Sequence, residues 1–225
     1  MNRHFERRPA GGSGKPGSFR CFVAVPVPEE VRSALASFCE DARNGFPGYR
    51  FVASENLHIT LLFLGEVPRT REGALREALD AATRDKLPFR VSFLESGAFP
   101  ERGAPRILHI AATGGKEELA RLASSVRKEL GSLGYGDTKP FAAHITLGRE
   151  RRESGFSRPQ SPAGRPPGTP ADIRSLWKDS YGQFLARANI RPQWDVDQVI
   201  LMESVLRPGG PLYIPLAAFP LGEGS

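Results

Sequence analysis

The chain predicts an α+β fold built on a duplicated unit, and three observations lead there. Short apolar strand-like runs and amphipathic helical runs alternate along its 225 residues, joined by connections of antiparallel type. The tetrapeptide His-Ile-Thr-Leu occurs twice, at 58–61 and 144–147, 86 positions apart. Each copy closes a similar succession: strand, helix, His strand, then helix, strands, helix, His strand. A chain of this length suits one domain or two small fused halves, and it buries a core without disulfides or a structural metal.

Taken in order, residues 1–18 carry Arg3, Arg7, Arg8 and Lys15 among Gly, Ser and Pro. Little here can be buried, so a disordered basic tail is expected, serving solubility rather than gripping RNA. The domain proper is expected over 19–221. Residues 19–25, FRCFVAV, read as a buried strand ended by Pro26 and Pro28. A helix follows from about Pro28, with Glu29 and Glu30 suiting its dipole and Val31, Leu35 and Phe38 forming its apolar face. Asn44-Gly45 and Pro47-Gly48 close it.

The first repeat copy then runs as a strand. Side chains alternate faces in an extended chain. Leu57, Ile59, Leu61 and Phe63 therefore share the core face, and His58, Thr60 and Leu62 the other. His58 and Thr60 stand about 7 Å apart along the strand. A second helix is expected over 71–86 on Leu75, Ala78, Leu79 and Ala82. Residues 89–94 and 106–111 read as two strands joined by a Gly/Pro-rich connection, GAFPERGAP. A third helix over 116–133 carries Leu119, Leu122, Val126, Leu130 and Leu133 at helical spacing. In the second copy Ala143, Ile145 and Leu147 face the core, while His144 and Thr146 share the opposite face.

Residues 151–191 break the pattern as an insertion, partly flexible because it is rich in Pro and Gly, with one helix. Thr169-Pro170-Ala171-Asp172 reads as that helix's cap with Pro at N1. Ile173, Leu176, Trp177, Phe184 and Leu185 fit one face. Trp177 and Tyr181 offer rings for a base, although packing onto the domain is the ordinary use of such rings. Residues 196–202 and 212–219 are the last two strands.

Composition narrows the function classes. Net charge is +6 with a pI near 9.7, which favours anionic partners such as nucleotides or RNA. Cys21 and Cys39 make neither a disulfide framework nor a metal cluster, so a reducing, cytoplasmic setting is expected. No run reaches the roughly 20 apolar residues of a membrane span, and no apolar segment of a secretory signal follows the N-terminal arginines.

A strand repeated for packing alone has no reason to keep His and Thr in the same order twice. Three readings of the repeat are open. In the first, the pair performs acid–base chemistry on a phosphodiester: imidazole titrates near pH 6.5, so one His is neutral while its partner is charged. Thr60 and Thr146 then offer hydroxyls to phosphate oxygens, and Arg149 a bidentate charged contact. In the second, the histidines hold a metal, but two are too few and no carboxylate or thiol shares their faces. In the third, both strands are core strands of a binding or scaffold protein. His4 lies in the tail, and His109 reads as a strand histidine without a catalytic part.

The residues that decide among these also resemble a known family. His58-Ile59-Thr60-Leu61 followed by Phe63-Leu64-Gly65, and His144-Ile145-Thr146-Leu147 followed by Arg149, resemble the two H-x-T-x motifs of the 2H phosphoesterase superfamily. The nearest match is the RNA 2′,3′-cyclic phosphodiesterase family, also called 2′-5′ RNA ligases. The flanks agree, among them Glu55-Asn56-Leu57, Gly97-Ala98-Phe99-Pro100, Lys139-Pro140-Phe141 and Pro208-Gly209-Gly210-Pro211-Leu212-Tyr213. Two positions depart: the family often has a basic residue where Leu62 stands, and Pro where Ala143 stands.

The resemblance implies a bilobal fold, two antiparallel sheets facing across a central cleft with helices on the outside. It implies hydrolysis of terminal RNA 2′,3′-cyclic phosphates, or of cyclic nucleotides, to 2′-phosphomonoesters, with 2′-5′ joining at the same site. It gives His58 as proton donor, His144 as proton acceptor, and Thr60, Thr146 and Arg149 as the phosphate-binding set. No cofactor or metal and a monomeric chain are expected. The rival of a different class is a non-catalytic nucleotide or RNA binder using the same cleft.

Overall fold

Ten strands and four helices carry the fold in a computed structural model that describes residues 17–136, 140–151, 169–207 and 210–222. Residues 1–16 of the expected tail, 152–168 of the expected insertion, and Lys139, Pro208 and Gly209 of the family-like flanks lie outside the described residues. In chain order the elements are β1 (Ser18–Pro26), α1 (Glu29–Ala42), β2 (Tyr49–Phe51), β3 (His58–Pro68), α2 (Glu72–Thr83), β4 (Phe89–Ser92) and β5 (Glu95–Phe99). They continue with β6 (Ile107–Ala111), α3 (Lys116–Gly131), β7 (His144–Glu150), α4 (Pro170–Ala188), β8 (Gln193–Val196), β9 (Gln198–Val205) and β10 (Leu212–Pro220).

The α+β class and the antiparallel sheets are as expected. One half, β10-β9-β1-β3, holds the first motif; the other, β7-β6-β5 with β2 beside β7, holds the second. They meet through one residue pair, Ile59 with Ile145, so equivalent positions of the two motifs face each other across the junction. The halves thereby form one eight-stranded sheet, and β4 and β8 make a separate two-stranded one. Both isoleucines are fully buried, which commits the flanking His and Thr residues to the opposite face.

The helical stripes pack as their spacing dictates. Val31, Leu35 and Phe38 of α1, Leu75, Leu79 and Ala82 of α2, and Leu119, Leu122, Val126 and Leu130 of α3 are all buried. Helix α4 begins with a capping box, in which Thr169 accepts from the Asp172 backbone and Asp172 reaches back to Thr169.

Helix α4, expected within the insertion, packs onto the domain core, the ordinary use of its rings. Trp177 and Tyr181 are almost fully buried among Phe38 and its neighbours. The Trp177 indole donates to the His109 carbonyl at 3.0 Å, and the Tyr181 hydroxyl to that of Phe93 at 2.7 Å. Neither ring is free for a base. Leu176 is exposed, contrary to expectation, because the stripe that packs on the core runs through 173, 177, 181 and 184 and leaves 176 about 100° round the helix.

Four strand assignments also differ. Residues 89–94 shorten to β4, which pairs with β8, and the expected connection contains β5, paired along its length with β6. Gly97, expected in that connection, lies within β5 opposite His109, where a Cβ would fall 2.8 Å from His109 Nε2. It is a close-approach glycine. Strand β2 was hidden behind the Pro47-Gly48 turn signal. The run expected over 196–202 divides into β8 and β9.

The last correction concerns the face of β3. Its pairing with β1 shifts register between Val23 and Ala24, so Thr60 opposes Ala24 while Leu62 opposes Val23. One extra residue turns the following side chains over. Leu62 therefore joins the hydrophobic core, and Phe63, half exposed, takes the other face, where its ring meets Phe22.

Candidate active site

Each histidine is the first residue of its strand, and each is tied to the turn that delivers it. His58 Nδ1 lies 2.7 Å from the carbonyl oxygen of Asn56, and His144 Nδ1 lies 2.7 Å from that of Ala142. A carbonyl only accepts, so each Nδ1 carries the hydrogen and each Nε2 is left as the working nitrogen. The same device thus appears two residues before the motif proper in both halves.

All five residues expected from the sequence, His58, Thr60, His144, Thr146 and Arg149, line one cleft of about 320 Å³. The two copies differ in detail. Thr60 Oγ1 is 2.9 Å from His58 Nε2 and donates to it when the ring is neutral. Among the described residues His144 makes no matching bond to Thr146. His58 packs against Phe22 and Tyr213, with ring centroids 4.8 and 5.3 Å away. His144 packs against Phe99 and His109, at 5.0 and 5.3 Å.

Burial pushes the His58 imidazole down to about 4; the Asn56 carbonyl opposes this, while the charges of Arg149 and His144 add to it. His144 is also lowered, by burial first and then Arg149, against the pull of the Ala142 carbonyl. Burial in the cleft therefore favours neutral imidazoles. An anion placed between them and Arg149 reverses that balance, since an opposite charge stabilises the protonated ring.

His109 does not stand apart from the site, as its sequence context suggested. It is 6% exposed, opposes Thr146 across β6 and β7, and stacks flat on Phe99 with centroids 4.1 Å apart. Burial pushes it down to about 3, with the charge of His144 adding to the effect. Its Nδ1 is buried with no hydrogen-bond partner among the described residues.

Sequence reasoning also missed Arg50 and Tyr213, which line the cleft with the five. Tyr213 lay in a flank whose likeness to the family was noticed without a role for the ring. Arg50 sits in a three-residue strand too short to show a period. Among the described residues no three of His, Cys, Asp and Glu gather as a metal-holding group, and no helix is long and apolar enough to cross a membrane.

Comparison with known proteins gives the family of the chain. The family described as LigT like Phosphoesterase matches residues 25–109. A protein of Archaeoglobus fulgidus named RNA 2′,3′-cyclic phosphodiesterase is 36% identical over 202 residues, covering 89% of this chain and 99% of its own. The chain belongs to the LigT-like phosphoesterases. Among solved members of this 2H phosphoesterase fold, a Thermus thermophilus protein superposes with a TM-score of 0.68 at 32% identity, covering 91% of this chain and 99% of its own. Escherichia coli LigT in complex with 3′-AMP gives 0.64 at 26%, covering 92% and 99%.

Proposed function

We propose that this phosphoesterase opens 2′,3′-cyclic phosphates at RNA ends, or on cyclic nucleotides, to 2′-phosphomonoesters. One observation carries the reading: two imidazoles, each held by an Nδ1–carbonyl bond, turn their Nε2 atoms into one cleft with two threonines and Arg149. Several relatives named RNA 2′,3′-cyclic phosphodiesterase, and a LigT complex with 3′-AMP, support a nucleotide-end substrate.

In this mechanism His144 Nε2 takes a proton from water as its oxygen attacks phosphorus. The bond from phosphorus to the 3′ oxygen breaks, and His58 Nε2 gives that oxygen its proton. Thr60, Thr146 and Arg149 hold the non-bridging oxygens as charge builds on them. The arriving phosphate anion supplies the charge that loads His58 with its proton, which burial otherwise disfavours. Run in the same direction with the 5′-hydroxyl of another RNA end in place of water, the same groups join ends through a 2′-5′ linkage: His144 takes that hydroxyl's proton and the 3′ oxygen leaves with the proton of His58. No step calls on a cofactor, and the chain is expected to act as a monomer in the cytoplasm.

The test is product mapping on an RNA oligonucleotide ending in a 2′,3′-cyclic phosphate, with EDTA present. A 2′-phosphate end is expected. A 3′-phosphate end overturns the assignment of the leaving oxygen. Tight binding without turnover establishes the rival reading, a nucleotide-binding module.

A further inference from the structure

We propose that Arg50 is a second phosphate contact, taking the internucleotide phosphodiester that precedes the reacting cyclic phosphate, so that the cleft selects an RNA end over a free cyclic mononucleotide. This rests on the cyclic-phosphodiesterase reading and assigns the substrate's next phosphate to a named side chain.

The pairing of β2 with β7 sets Arg50 opposite Arg149. Residues directly opposite in an antiparallel pair send their side chains out on the same face, with Cα atoms about 5 Å apart. Both arginines accordingly line the cleft that holds His58 and His144. Like charges so placed repel, and a protein keeps such a pair at a cost unless an anion lies against it. Among the described residues neither guanidinium has a hydrogen bond or ion pair. Glu55, the acidic residue of the cleft wall, accepts instead from the Ser54 hydroxyl at 3.4 Å.

The two arginines are not equivalent. Arg149 depresses the protonation of both His58 and His144, whereas Arg50 is not among the charges acting on either ring. Arg149 is thus assigned to the reacting phosphate, and Arg50, on the cleft wall, is the second cation. The Arg50 guanidinium lies along Gly210, where a Cβ would sit 3.0 Å from its Nη2. Asn56 Nδ2 donates to the Pro211 carbonyl at 3.0 Å, fixing this wall to the turn that delivers His58. A reacting cyclic phosphodiester carries one negative charge, which Arg149 answers. The next anion along an RNA strand is the preceding phosphodiester, and Arg50 is the cation left for it.

The experiment compares wild type with Arg50→Gln and Arg50→Lys on a cyclic mononucleotide and on a dinucleotide with the same cyclic end. The ratio of kcat/KM for dinucleotide over mononucleotide should fall about tenfold or more in Arg50→Gln, the scale of one lost charge-assisted contact, and partly recover in Arg50→Lys. The slope of log affinity against log salt for the dinucleotide should become shallower by about 0.7, one phosphate contact on a single strand. An unchanged ratio overturns the proposal, whether both substrates are lost together, which places Arg50 on the reacting phosphate, or neither is affected. Binding of the unreactive dinucleotide and mononucleotide 2′-phosphates is measured in parallel. If wild type opens no cyclic ester, the parent reading fails. The binding ratio still decides Arg50: a loss confined to the dinucleotide supports the contact, and an equal or absent loss refutes it.

Discussion

The imidazole of His109 meets that of His144 edge to face, with centroids 5.3 Å apart and planes inclined at 71°. A third histidine thus forms the wall behind the general base of the proposed mechanism. Stacked on Phe99 and buried, its imidazole is pushed toward the neutral form and covers one side of His144. Arg149 on the same strand is the charge that acts on His144.

Truncating that wall should move the base. In His109→Ala, water reaches His144 and its protonation rises toward the ordinary value near 6.5. The acidic limb of the rate profile, where the base is lost to protonation, should then shift to higher pH. His109→Phe, which keeps a ring, should hold the wild-type position. A His109→Ala profile that superposes on wild type removes any role beyond packing.

Gly97→Ala presses on the same wall from the other side. Its new methyl falls 2.8 Å from His109 Nε2, and overpacking of this kind costs about 1–3 kcal/mol. Chemical denaturation should show that loss, and kcat should fall with it as His109 is driven toward His144.

His58→Ala and His144→Ala should each reduce turnover of a cyclic phosphate by about 10²–10⁴-fold, the usual contribution of a general acid or base. Circular dichroism should stay native, because neither ring belongs to the hydrophobic core. Near-wild-type rates in either variant refute the paired mechanism.

The pH dependence should differ between free and bound enzyme. In the free cleft burial holds both reacting histidines below 6.5, so the bell of kcat/KM should centre on the acid side. A bound phosphate anion raises both, so the bell of kcat should lie at higher pH. Coincident bells argue that the substrate leaves the imidazoles unaffected.

Acid stability follows from the same burial. His58 at about 4 and His109 at about 3 lie below the unfolded value near 6.5. Between those limits the unfolded chain binds protons that the folded one refuses, so stability falls as pH drops below 6.5. Urea midpoints at pH 7 and pH 5 should show this, and His109→Phe should narrow the gap.

Much of this site could be read from residue order because its logic is local. Alternation along two strands is enough to place His58 with Thr60 and His144 with Thr146. The helical stripes from Val31 and from Leu119 need only 3.6-residue spacing, and Thr169 announces its helix through its own side chain. What escaped depends on pairing partners. A register shift against β1 sends Leu62 into the core, and nothing in ITLLF marks the extra residue. Gly97 looks like part of a connection until His109 is seen across from it. Arg50 gains its meaning only from standing opposite Arg149, 99 positions later in the chain.

The single Ile59–Ile145 pair has a mechanical consequence. Where two halves of a sheet share one rung, any rocking between them turns about that rung. The fulcrum here lies beside His58, Thr60, His144 and Thr146, so rocking changes the spacing of the reacting groups least. Arg50 pairs with β7 of one half, and Gly210 lies between β9 and β10 of the other, so rocking changes the contact between them. The one shared rung thus ties together the two strand starts that carry the motifs.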